Sequence, residues 1–298
     1  MAKIKTVHYF EYAILRCVEA AVNIIPRKLA MALGAAVMRV LCLLGLYKKT
    51  VRTNFEHVGI WDKKQIGRII PKLYKNMGRY AIDFLRRNGR RPPNYRLHDY
   101  DIYTESRAKG KGTIIVLAHF GNWELLAAIW GEQTDGSLNV IAKPMGNPVV
   151  EAWLLKKRTA LSVKTIQTGN ALRGMLGVLR KNEITAILID QHLRGMGTPA
   201  PFLGKTALTV RTVAGLARKT GAVCVPIYAM MNSDGSYDIR FFRAEPPVPG
   251  DAGDVDEEEI ISAIQTQHND IISRWIVEHP EHWFGWFHKR FKGYVDYA

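Results

Sequence analysis

Thr113 to Trp130 reads TIIVLAHFGNWELLAAIW, and this stretch decides the fold. Thr113 to Ala118 is almost wholly apolar and rich in β-branched residues. That composition predicts a buried, central, parallel strand. A helical pattern follows at once, with Trp123, Leu126, Ala127 and Trp130 at three- and four-residue spacing. Between the two lie His119, Gly121, Asn122 and Glu124. Open α/β sheets bind ligands at the carboxyl ends of their strands, where this polar cluster falls.

The spacing limits the chemistry. On one ideal helix His119 and Glu124 would stand about 140° apart. They meet only if His119 sits on the turn and Glu124 in the first helical turn. Gly121 permits such a tight turn. In that arrangement Glu124 holds the imidazole in one tautomer and leaves the other nitrogen as a general base. The same residues also describe an ordinary strand-to-helix turn capped by Asn122, and the spacing alone does not choose between the two.

The flanking sequence adds a resemblance. His119-Phe-Gly-Asn-Trp-Glu124 resembles the His-x4-Asp/Glu motif of glycerolipid-type acyltransferases. Ile189-Asp-Gln-His192, Pro201-Phe-Leu-Gly-Lys205, Gly215 to Ala222 and Val225-Pro226 are similar to the late acyltransferases of lipid A biosynthesis. So is the ending, Trp283-Phe-Gly-Trp-Phe-His-Lys-Arg-Phe-Lys292. The ordered set runs from about Pro26 to Lys292. It implies transfer of a fatty acyl group from a thioester, acyl carrier protein or coenzyme A, to a hydroxyl of a lipid A precursor or another glycolipid. A lysophospholipid or phosphatidylinositol mannoside acceptor is the alternative. The resemblance further implies a place at the cytoplasmic face of the inner membrane, single-pass or monotopic, with no cofactor, no metal and no covalent acyl-enzyme. Arg158 fits the family's active-site arginine, suited to a phosphate or a developing oxyanion through its planar fork, and is equally readable as a surface charge beside two lysines. Asp190, at the end of another buried strand, is expected to orient Arg158 or the acceptor. Gly121, Asn122, Phe202, Gly204, Lys205 and Arg211 are the expected substrate-binding residues. His192 stands where relatives carry another polar residue.

Composition agrees with a globular chain, at 47% hydrophobic and 23% charged residues. The formal net charge of +15 is unusual and calls for an anionic partner: anionic lipid, a phosphorylated substrate or nucleic acid. No nucleic-acid motif is present, so nucleic acid is not expected. Cys17, Cys42 and Cys224 have no paired spacing, which fits a reducing compartment. Dinucleotide, Walker A, Gly-x-Ser-x-Gly and zinc motifs are missing from the sequence.

Three regions are expected: a membrane-associated helical segment over 1–50, amphipathic helices and a basic linker over 51–93, and a catalytic α/β domain over 94–298. The fold class is α/β, a mostly parallel sheet flanked by helices. Glu11, Arg16 and Glu19 keep the first helix, Val7 to Ile25, out of the bilayer core. Leu29 to Leu46 would span about 27 Å against a hydrocarbon core of roughly 30 Å. That is a short span, or a helix lying in one leaflet with Arg39 snorkelling, or a core helix. No cleaved signal peptide is expected. Lys48, Lys49 and Arg52 follow, suited to anionic head groups on the cytoplasmic side. Ile66 to Phe84 is amphipathic, with Pro71 expected to kink or split it. Further on, Asp99 to Thr104 reads as a strand, Arg194 to Pro201 as a mobile Gly/Pro-rich loop, and Thr209 as the cap of the helix ending at Lys219. The aromatic, basic Trp283 to Arg290 segment suits either the membrane surface or packing across the sheet.

Overall fold

The computed structural model describes residues 4–87, 91–142, 144–167, 171–192, 197–244 and 256–297. Four helices come first: α1 (Thr6–Ile24), α2 (Arg27–Leu43), α3 (Lys48–Val58) and α4 (Lys63–Leu85). Then follow β1 (Tyr95–His98), α5 (Asp101–Ala108), β2 (Thr113–Leu117), α6 (Trp123–Gln133), β3 (Leu138–Ala142), α7 (Pro148–Ala160), β4 (Lys164–Gln167), α8 (Ala171–Arg180) and β5 (Ile184–Leu188). The chain continues with β6 (Gly197–Phe202), β7 (Lys205–Val210), α9 (Thr212–Thr220), β8 (Val223–Met231), β9 (Tyr237–Phe241) and α10 (Glu257–Glu278).

One seven-stranded sheet has the order β1-β9-β8-β2-β5-β3-β4. Its neighbours are parallel except β8 and β9. This is the expected mostly parallel α/β sheet. All five residues of β2 are buried, as strands covered by helices on both faces require. The β2–β5 register pairs Leu117 with Leu188, which carries the two strand ends out side by side. β6 and β7 form a separate antiparallel hairpin.

Two of the N-terminal helices, α2 and α4, are joined by close backbone packing. A Cβ on Gly78 would lie 2.2 Å from the Gly34 carbonyl oxygen, so α2 and α4 cross where neither carries a side chain. Arg27, at the start of α2, grips Asp83 of α4 through both carboxylate oxygens, at 2.7 and 2.6 Å. The outer face of α2 stays exposed and apolar, with Leu29, Leu33, Val37, Val40 and Leu44 at helical spacing. No single helix among the described residues is long and apolar enough to cross a membrane. The pair α2 and α3 passes that test together only with an 81° bend between them, and α3 buries Val51, Phe55 and Val58.

Four expectations are corrected. Asp99 to Thr104 is not a strand: β1 ends at His98, Asp99 turns with φ +59°, and Asp101 opens α5. A first-turn aspartate and a last-turn arginine, Arg107, suit that helix's dipole. Pro71 does not split α4, because it and Gly67 lie on the exposed face, where the freed carbonyl meets water. Gly197–Pro201 is strand rather than loop, since Pro199 and Pro201 sit in a two-stranded hairpin that tolerates missing donors; residues 193–196 lie outside the described residues. Thr209 belongs to β7, and α9 begins at Thr212 after Arg211.

The Gly34–Gly78 crossing makes a prediction. Gly78→Ala should cost about 1–3 kcal/mol, because the methyl meets backbone that must move. Gly67→Ala on the same helix meets open space and should gain up to about 1 kcal/mol. Thermal or denaturant unfolding of the two variants reads the difference in sign.

Candidate active site

The turn after β2 is held on three sides by backbone. The Gly121 N–H donates to the His282 carbonyl at 2.9 Å, and the Asn122 N–H to Ala229 at 2.8 Å. The His119 carbonyl accepts from Phe284 N–H at 2.7 Å. Gly121 has φ +61°, and a Cβ there would fall 2.0 Å from the Ala229 carbonyl oxygen. Its need for glycine is therefore both conformational and steric. Asn122 caps α6 by accepting from Leu125 N–H at 3.1 Å. Its amide nitrogen donates to the Tyr237 hydroxyl and to the Tyr80 carbonyl.

His119 leaves this turn beside Asp190, as the β2–β5 register dictates. Its Nδ1 lies 2.8 Å from Asp190 Oδ1, and its backbone N–H donates to Oδ2 at 2.9 Å. Trp283 Nε1 donates to the same Oδ2 at 2.7 Å. Burial alone would push the Asp190 carboxyl up. The charge of the facing imidazole and the hydrogen bonds from His119 and Trp283 outweigh it, and hold the carboxyl at about 2. An ionised carboxylate can only accept, so Nδ1 of His119 is the donor in this pair, and Nε2 is the nitrogen left to exchange a proton. Trp123 meets the ring edge-on at 4.9 Å between centroids.

Glu124 is elsewhere than expected. It does not reach the imidazole; its Oε1 accepts from Arg158 NH2 at 2.6 Å. Asp190, expected to orient Arg158 or the acceptor, faces His119 instead, and it is Glu124 that meets Arg158. The reason is geometric. Asp190 leaves the strand next to β2, whereas Glu124 is already in α6, facing the last turn of α7. Glu124 and Arg158 are partly open, with side chains 23% and 15% exposed against 0% for Asp190.

The remaining predicted positions fall around this centre. Phe202 is buried, its ring 5.4 Å from Trp283 and 4.6 Å from the Arg290 guanidinium, so it packs behind Asp190. Leu203 and Gly204, with φ of +51° and +72°, make the β6–β7 turn, and Lys205 is exposed. Arg211 pairs with Glu258 at the surface. Trp283, Trp286, Arg290 and Phe291 are buried, so the aromatic ending packs into the core rather than covering a surface. Sequence reasoning gave no role to Gln191 or His288. Gln191 Nε2 lies 3.2 Å from both His119 Nε2 and His288 Nε2. Both residues stand inside the quoted motifs, yet nothing in their spacing relates positions 119, 191 and 288.

Residues 2–293 match the bacterial lipid A biosynthesis acyltransferase family, and the chain belongs to it. Among curated proteins, it is 26% identical over 194 residues to the lipid A biosynthesis palmitoleoyltransferase of Escherichia coli K12, covering 64% of this chain and 60% of that protein. It is 24% identical over 180 residues to the phosphatidylinositol mannoside acyltransferase of Mycobacterium tuberculosis H37Rv, covering 59% of this chain and 54% of that protein. The Mycolicibacterium smegmatis protein of the same name is 23% identical over 189 residues, covering 62% and 59%. The chain thus matches less than two thirds of each relative's length.

Asp190→Asn should destabilise the fold near neutral pH by removing an acceptor that three N–H groups share. The Asp190 carboxyl is depressed by folding, so its contribution is complete above the ordinary carboxylate value of about 4 and is lost as pH falls toward about 2. The gap in melting temperature between wild type and Asp190→Asn should therefore be full at pH 7 and close below about pH 4. A gap unchanged down to pH 2 would remove the ionised carboxylate from the account.

Proposed function

We propose that this protein transfers a fatty acyl group from a thioester, on acyl carrier protein or coenzyme A, to a hydroxyl of a lipid A precursor. The observation that carries the reading is the histidine whose Nδ1 is tied to a buried, ionised aspartate while its Nε2 stays available as a base. Family membership supplies the reaction class.

The acceptor hydroxyl gives its proton to His119 Nε2 as its oxygen attacks the thioester carbon. Asp190 stabilises the imidazolium that results. The tetrahedral oxyanion collapses, the C–S bond breaks, and the leaving thiolate recovers the proton from His119. Arg158 supplies charge beside the reacting carbons or binds an acceptor phosphate, held in place by Glu124. No side chain need be acylated.

The surface supports a place at the membrane. The apolar outer faces of α1, with Val7, Phe10, Ile14 and Val18, and of α2 are exposed. Beside them the basic residues Lys48, Lys49 and Arg52 of α3 suit anionic head groups on the cytoplasmic leaflet. A monotopic attachment uses those faces without requiring a span. A phosphatidylinositol mannoside acceptor is the second reading, favoured by the mycobacterial relatives.

The test is incubation with lauroyl-, myristoyl- and palmitoyl-loaded acyl carrier protein and a tetraacylated lipid A precursor, following product mass. A product heavier by one acyl group supports the reading. His119→Ala should lose at least about 10²–10⁴-fold. Product with a mannoside or lysophospholipid acceptor alone would change the substrate, and none with any acceptor would remove the activity. Glu124→Gln should lower turnover through Arg158, and the charge-conserving Glu124→Asp should recover part of it; equal losses in the two would argue against a positioning part for Glu124.

A further inference from the structure

We infer that Gln191 is a further catalytic residue: its side-chain amide caps His119 Nε2 before substrate binds and donates to the tetrahedral oxyanion once the acceptor hydroxyl has displaced it. The inference rests on the acyl-transfer reading above.

The geometry begins from the tautomer. With Nδ1 donating to Asp190, the neutral form of His119 that a base requires presents its lone pair on Nε2. The group facing that lone pair at 3.2 Å must be a donor, which orients the Gln191 amide with its nitrogen inward. The same nitrogen lies 3.2 Å from His288 Nε2. An amide nitrogen has two hydrogens, one for His119 Nε2 and one for His288 Nε2 in the tautomer that carries its proton on Nδ1. His288 is suited to its part, because burial lowers its basicity. Its ring is wedged against Phe284, 5.2 Å between centroids.

The atom that caps the base therefore occupies the position the acceptor oxygen must take. Binding of the hydroxyl breaks one of the two Gln191 hydrogen bonds and leaves the other, to His288, as a tether. The freed N–H remains next to the attacked carbon. As the hydroxyl proton moves to His119 Nε2 and the new C–O bond forms, the carbonyl electron pair settles on the thioester oxygen. The Gln191 N–H then donates to that oxygen. Collapse returns the pair to the carbonyl, expels the thiolate, and passes the His119 proton to sulfur. Donors aimed at a developing oxyanion in a half-buried site act mainly on turnover.

Gln191→Met keeps the length of the side chain and removes the donor. It should lose about 10²–10³ in kcat, with KM for the thioester changing far less. Gln191→Glu should lose at least as much, since a carboxylate faces the oxyanion. The cap has its own readout. Diethyl pyrocarbonate acylates an unprotonated imidazole nitrogen, and peptide mapping locates it. His119 should be modified faster in Gln191→Met than in the wild type at equal melting temperature. A kcat within a few fold of wild type in Gln191→Met, with wild-type transfer intact, overturns the oxyanion role. Equal modification rates overturn the cap. Absence of transfer by the wild type on every acceptor fails the acyl-transfer reading itself, while the footprint still tests the contact.

Discussion

The pairing of His119 with Asp190 across the ends of two adjacent parallel strands is the interaction on which the rest of this structure depends. A carboxylate with no exposure would cost several kcal/mol unless matched by donors. Here the donors are a ring N–H, a backbone N–H and an indole N–H. The third comes from Trp283, far along the chain, which explains why the aromatic ending must fold back into the core. Phe202, Trp286, Phe291 and Arg290 then pack around that indole or behind it. Arg290 is itself buried, and its charge lies close enough to Asp190 to be felt by it, although burial dominates and lowers its basicity to about 10. The hairpin β6–β7 exists in part to hold that cation, through the Leu208 carbonyl and the Thr209 hydroxyl.

A second chain of hydrogen bonds ties the turn to the N-terminal helices. Arg27 holds Asp83, Asp83 accepts from the Tyr237 hydroxyl at 2.8 Å, and that hydroxyl accepts from Asn122. Burial, followed by the charge of Asp83, pushes the Tyr237 phenol well up, so it stays protonated and can serve as this link. Tyr80 reaches His282 from the same helix. Burial pushes His282 down to about 3, so it is neutral and its ring accepts or donates without adding charge. The turn at Gly121 is thus braced by α2, α4, β8, β9 and the segment before Trp283. A base positioned within a few tenths of an ångström needs such a frame, because misplacement costs rate steeply.

The sheet and its flanking helices were legible because they rest on local signals. Apolar β-branched runs mark β2 and β5, and three- and four-residue spacing marks α6. The turn at Gly121 was also legible, since polar residues between a buried strand and an apolar helix have few other uses. What stayed hidden was pairing. The order of strands puts β5 beside β2, and only that order brings Asp190 to His119; a motif read along the chain offers Glu124, five residues away, instead. The same blindness applies to Gln191 and His288, which meet through three separated segments. Asp99 misled because a strand and a short helix share its apolar neighbours, and its left-handed turn is decided by what packs around it.

The two carboxylates separate by burial, and burial explains the division of labour. Asp190 has no access to water and cannot exchange partners without an uncompensated charge, so it serves best as a fixed orienter. Glu124 is partly solvated, and its charge-assisted bond to Arg158 lies at the edge of water. The role proposed for Arg158 asks it to keep one N–H on Glu124 and turn others to an incoming phosphate or carbonyl oxygen. The His-x4-Glu spacing therefore makes sense without any contact between its ends. The histidine must stand at the strand terminus, where the neighbouring strand can reach it. The glutamate must stand on the helix, where the arginine of the next helix can reach it. Four intervening residues are what the turn requires to pass from one to the other.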